Sequence, residues 1–70
     1  MNALFDGYKR VFGLNEQFLG YAGECRIDAD DGRITHIILR TPWQRIVLDW
    51  DQVRFDPVRD AFHLRTQHTH

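Results

Sequence analysis

Ile27-Asp28-Ala29-Asp30-Asp31-Gly32-Arg33-Ile34 reads as the end of one strand, a tight reversal and the start of another. Asp-Gly between two alternating runs is a strong hairpin signal, because glycine adopts the positive φ that such a turn needs. Upstream, Phe18 to Asp28 reads as a strand. Leu19, Tyr21, Cys25 and Ile27 fall on one face by alternation, and Phe18, Gly20, Ala22, Glu24, Arg26 and Asp28 on the other. Gly20 and Gly23 inside it predict a bulge, a bend or a close backbone approach, features that let a small sheet curl into a barrel. Downstream, Arg33 to Thr41 reads as the second strand, stopped by Pro42, which cannot donate to a ladder.

The same reading extends to the C-terminal side. Arg45 to Trp50 alternates Ile46, Leu48 and Trp50 against Arg45, Val47 and Asp49. A short strand is expected around Val53 to Phe55. Asp56-Pro57-Val58-Arg59-Asp60 is a turn with φ preset by proline, and Ala61 to Arg65 closes the sheet with Phe62 and Leu64 on one face. Thr66 to His70 is polar and without periodicity, a frayed, disordered tail beyond a single domain over residues 1–65.

The N-terminal segment reads two ways. Leu4, Phe5, Tyr8, Val11 and Phe12 stand at helical spacing behind Asn2 as a candidate N-cap. The same residues also fit a turn at Asp6-Gly7 followed by a strand from Tyr8 to Phe12. From Gly13-Leu14-Asn15-Glu16, a turn, the pattern is β throughout. The expectation is an all-β domain, a small five- to six-stranded antiparallel barrel, with a short N-terminal helical or extended segment.

Composition bounds the function. The chain has 70 residues, 43% of them hydrophobic, and a net charge of −1. That is enough apolar surface for a fold, and too little positive charge for a dedicated nucleic-acid binder. Among the nine cationic residues only Lys9 is a lysine. Arginine is the better fork for carboxylates and phosphates. No apolar run is long enough to span a membrane, no secretory signal pattern opens the chain, and Cys25 is the only cysteine; the expected location is cytoplasmic. A domain this small buries only about 60% of its unfolded surface, so a second subunit is the simplest added source of stability.

No catalytic constellation is readable. Cys25 alternates with apolar residues and reads as an inert core thiol. Asp28, Asp30 and Asp31 are ordinary turn aspartates without the spacing of a calcium loop. His63, His68 and His70 lack the thiol partners of a structural zinc site, and His36 reads as a packed or edge histidine. No cofactor is expected. The polar feature that stands out is arginine beside tryptophan, a composition shared by protein hot spots and RNA-stacking surfaces. Ile37-Ile38-Leu39 is apolar on both faces, so one face fills a core while the other needs cover from the N-terminal segment or from a partner. The candidate partner-binding residues are Ile37, Leu39, Arg40, Trp43, Arg45 and Trp50.

Three stretches carry a family resemblance: Gly7-Tyr8-Lys9-Arg10-Val11, Asn15-Glu16-Gln17-Phe18-Leu19-Gly20 and Ile27 to Ile34. With Arg45 to Val53, they resemble the PRC-barrel domain over most of the chain. The resemblance implies a six-stranded barrel, a strand rather than a helix from Tyr8 to Phe12, and a role as an adaptor or assembly module without catalytic residues. The expected activity is binding of a partner protein, first a second copy of the chain as a homodimer; the alternative is a small SH3-like or OB-like RNA-binding barrel that uses the arginine and tryptophan surface.

Overall fold

The computed structural model describes residues 1–65 and is all-β. Six strands form one sheet: β1 (Asn2–Phe12), β2 (Phe18–Ile27), β3 (Ile34–Arg40), β4 (Arg45–Asp49), β5 (Val53–Asp56) and β6 (Ala61–Leu64). A 3-10 turn, η1 (Trp50–Gln52), joins β4 to β5. The spatial order is β4-β3-β2-β1-β6-β5, a sheet curled around a single core like part of a barrel. The expected tail, Thr66 to His70, lies outside the described residues.

The hairpin expected at Asp31-Gly32 is present. Asp28 N–H donates to the Arg33 carbonyl at 2.9 Å, and Gly32 takes a φ of 73°. The Asp28 and Asp31 carboxylates accept from the backbone of Asp30 and Arg33, at 2.7 and 2.9 Å, which holds the loop without help from a distant element.

Two features depart from the expectation of a purely antiparallel barrel with an ambiguous N-terminus. First, the N-terminal segment is one long strand and not a helix. Asp6-Gly7 is a bulge in it: Leu4 pairs with Glu24 and Lys9 with Ala22, so β1 spends more residues than β2 over that span. Gly7 absorbs the irregularity with a φ of 88°. Second, β1 and β6 run parallel, in the register Arg10↔Ala61, Val11↔Phe62 and Phe12↔His63. The cause is η1. It carries the chain onward in the same sense from β4 into β5 instead of reversing it, so β6 returns beside β1 one reversal short.

The core is Val11, Ala22, Cys25, Ile37, Leu39, Val53 and Phe62, with Phe5, Leu19, Ile46 and Leu48 packed against it. Tyr21 was expected on this inner face and Ala22 on the outer one; their places are exchanged. A bulge between Ala22 and Glu24 resets the alternation within β2. Gly20 is required where it stands, because a Cβ there would run into the Arg40 carbonyl of β3.

Candidate functional site

The outer face of the sheet carries a chain of aromatic rings. On β1, Tyr8, Arg10 and Phe12 share this face by alternation. On β2, Phe18 and Tyr21 reach it because of the bulges flanking them. The rings meet edge to face: Tyr8 to Tyr21 at 6.4 Å, Tyr21 to Phe18 at 5.2 Å and Phe18 to Phe12 at 5.9 Å between centroids. Phe12 then stacks on His63 of β6 at 5.4 Å. The Arg10 guanidinium lies 5.7 Å from the Phe12 ring. The Tyr8 ring covers Gly23, where a Cβ would displace it. Tyr8 is nonetheless 71% exposed, and Phe18 and Tyr21 are about half exposed. Strand-mounted rings of this kind have few rotamers to lose on binding.

The candidates from the sequence distribute unevenly. Arg40 and Arg45 come together as cross-strand partners beside Tyr21. Both guanidinium groups reach one Glu24 oxygen, at 3.6 and 3.2 Å. Trp43 sits at the tip of the β3–β4 hairpin, 88% exposed. Trp50 is at the other end of β4, with its ring edge-on to Phe62 at 5.9 Å, where it borders the core. The two tryptophans do not form one surface. Ile37 and Leu39 are core residues, 0% and 3% exposed, and offer no side chain to a partner. Their parity sends both inward.

Ile38 points the other way, yet it is only 2% exposed. Its cross-strand neighbours are Glu24 and Val47, and His36 and Arg40 flank it along β3. The ion pairs Glu24–Arg40 and Glu24–Arg45 and the His36–Asp49 contact at 3.1 Å border it on this face. The cover expected from the N-terminal segment or from a partner is thus supplied by long charged side chains of the same sheet, whose stems shield apolar surface.

Cys25 is buried, and burial first and the neighbouring Glu24 charge second push its thiol pKa up, away from the thiolate that nucleophilic chemistry requires. His63 is buried with neither ring nitrogen hydrogen-bonded; Glu16 approaches Nδ1 at 3.5 Å and Asp56 approaches Nε2 at 3.9 Å. Arg59 ties Glu16 at 3.1 Å. Among the described residues no group of three or more His, Cys, Asp or Glu side chains is placed to hold a metal ion. His68 and His70 lie outside the described residues. An open cleft of about 410 Å³ lies between the Asp31-Gly32 hairpin and η1, lined in part by His36, Asp49 and Trp50. No helix among the described residues is long and apolar enough to cross a membrane.

No protein-family model matches the chain, and no curated protein matches it in sequence.

Proposed function

We propose that this protein is a non-enzymatic interaction module of PRC-barrel type, which self-associates and docks a partner protein on the aromatic strip of its outer face. The observation that carries the reading is the run Tyr8–Tyr21–Phe18–Phe12, rings in mutual contact on the sheet, with Tyr8, Tyr21 and Phe18 open to solvent. Contiguous exposed apolar surface of this kind marks interaction sites, and tyrosine with arginine dominates their energetics.

A protein partner fits better than RNA. Arg40 and Arg45 share the Glu24 carboxylate and Arg59 is paired with Glu16, so part of the arginine charge near the strip is already engaged, Arg10 excepted. Phosphate recognition relies on charge that is free to replace counterions. The test is crosslinking capture from host extract with the wild-type chain and with a Phe18→Ser/Tyr21→Ser variant whose fold is checked by circular dichroism. The expected result is a protein captured by the wild type and lost with the variant. Capture unaffected by the variant overturns the strip as the docking site. RNA binding with a steep salt dependence, lost in Arg40→Ala/Arg45→Ala, replaces the protein reading with the RNA one.

A further inference from the structure

We infer that two copies of this chain join edge to edge through β4, antiparallel about a two-fold axis at Val47, to make one continuous sheet. The inference rests on the self-association reading above and names its surface. β4 and β5 are the terminal strands of the sheet, and among the described residues neither has a second hydrogen-bonded neighbour. An unpaired edge is a template for another strand unless proline, a bulge or a lysine blocks it. β4, Arg45-Ile46-Val47-Leu48-Asp49, contains no proline, glycine or lysine, and pairs with β3 in unbroken register.

The main-chain groups point the right way. At the foot of the β3–β4 hairpin, Thr41 N–H donates to the Gln44 carbonyl at 2.9 Å. Counting along an antiparallel ladder from that closing pair turns the backbone groups of Ile46 and Leu48 toward β3, and those of Arg45, Val47 and Asp49 toward the open side. Asp49 bears this out: its N–H is taken by the Gln52 side chain at 2.8 Å rather than by β3. Val47 and Arg45 keep N–H and C=O for a partner, whereas both backbone groups of Asp49 are held by η1, the N–H by the Gln52 side chain and the carbonyl as N-cap acceptor of the turn's first bond. Across the axis Val47 N–H and C=O make two hydrogen bonds to Val47 of the second copy.

The side chains complement themselves in the same register. Residues whose numbers balance about Val47 face each other, so Arg45 meets Asp49 of the second copy, and Asp49 meets its Arg45. Val47 meets Val47 between them on the outer face. On the inner face Ile46 meets Leu48 twice. Arg45 and Asp49 are 59% and 62% exposed along their side chains, and each has hydrogen-bonding capacity beyond its present partner, Glu24 or His36. Opposite charges directly across a ladder stabilise it, and like charges there do the reverse. β5, Val53-Arg54-Phe55-Asp56, has no such symmetry. A two-fold between Arg54 and Phe55 sets arginine against phenylalanine and Val53 against Asp56, and Pro57 follows at once.

The test is sedimentation equilibrium of the full chain and three variants. The wild type is expected at twice its 8.3 kDa chain mass at high concentration. Arg45→Asp makes both ends of β4 acidic, and Asp49→Arg makes both ends basic. Each alone is expected to weaken the dimer by about tenfold or more, since two attractive pairs become repulsive. An equimolar mixture of the two restores a dimer, because acidic ends then meet basic ones; rescue on mixing cannot come from a misfolded variant. Val47→Pro removes the outward N–H but none that β3 uses, so it is expected to yield a folded monomer. A wild-type dimer unmoved by all three variants overturns the β4 edge while self-association stands. A wild-type monomer at high concentration overturns both.

Discussion

At the residue scale two positions are fixed by their surroundings rather than by their own type. Gly20 lies where β3 passes so close that a side chain would meet the Arg40 carbonyl, whereas at Gly23 it would meet only the Tyr8 ring. Backbone cannot step aside as a tyrosine can. Gly20→Ala is therefore expected to cost about 2 kcal/mol, as overpacking does, and to lower the melting midpoint by about 8–16 °C. Gly23→Ala should cost clearly less. Equal losses in thermal melts would show that the close approach is not what the glycine serves. Cys25 gives a prediction with a sign. Its thiol pKa is raised in the fold, by burial first and by Glu24 second, so the folded chain holds a proton that the unfolded chain gives up earlier. Stability from this group is complete below the ordinary thiol value and is lost as pH climbs from that value to the raised one. Urea titrations across that alkaline window should show a downward slope in the wild type that is smaller in Cys25→Ala. Identical slopes would remove the thiol as its source. The core role of Cys25 could be read from its apolar neighbours. Tyr21 could not be placed the same way, because alternation is blind to a bulge, and the bulge beside Gly23 moves Tyr21 outward. The two glycines were the available signal; which of them resets the parity depends on β1 and β3, which no local pattern contains.

At the element scale, the turns were written most plainly into the sequence and the pairing least. Asp31-Gly32 and Asp56-Pro57 announce themselves because their chemistry is local: each aspartate accepts from backbone within a few residues. The strand bounds follow from the turns. The parallel β1–β6 pair does not, since it arises from η1, a three-residue element formed where alternation at Trp50 would have continued the strand. The β3–β4 hairpin shows how much a single side chain can hold. Thr41 Oγ1 accepts from Trp43 N–H at 3.2 Å and Gln44 N–H at 3.1 Å, and its hydroxyl lies 3.2 Å from the Gln44 carbonyl. These bonds pin a two-residue loop whose tip is the exposed Trp43. Thr41→Val keeps the shape and removes them. The loop is solvent-exposed, so water replaces part of what is lost, and the expected cost is about 1 kcal/mol. Hydrogen exchange should quicken at Trp43 and Gln44 but not in β1 or β6. Unchanged protection there would mean that the strands alone close the hairpin.

At the scale of the whole molecule, the candidate site was only partly visible in advance, and the reason bears on stability. Arg40, Trp43 and Arg45 are at the surface as expected, but Ile37 and Leu39 are the core itself, because a 70-residue chain has few residues to spend on an interior. At about 0.05–0.15 kcal/mol per residue, such a chain has roughly 3.5–10 kcal/mol of stability in all. The covering of Ile38 by charged and polar side chains removes the exposed patch for which cover from the N-terminal segment or a partner was expected, yet it leaves that margin narrow and the β4 edge without a neighbouring strand among the described residues. A dimer through β4 would then add to the stability of the fold, and concentration becomes the measurable variable. For a chain that unfolds as it dissociates, a tenfold rise in concentration adds about 1.4 kcal/mol per dimer, or about 0.7 per chain. In a domain of this size that raises the melting midpoint by about 3–6 °C. The wild type should show this rise and Val47→Pro should not, even if its midpoint at low concentration is the same. A midpoint independent of concentration in both would mean that the small core carries the fold by itself, and that the β4 edge, though open and self-complementary, contributes nothing to holding it.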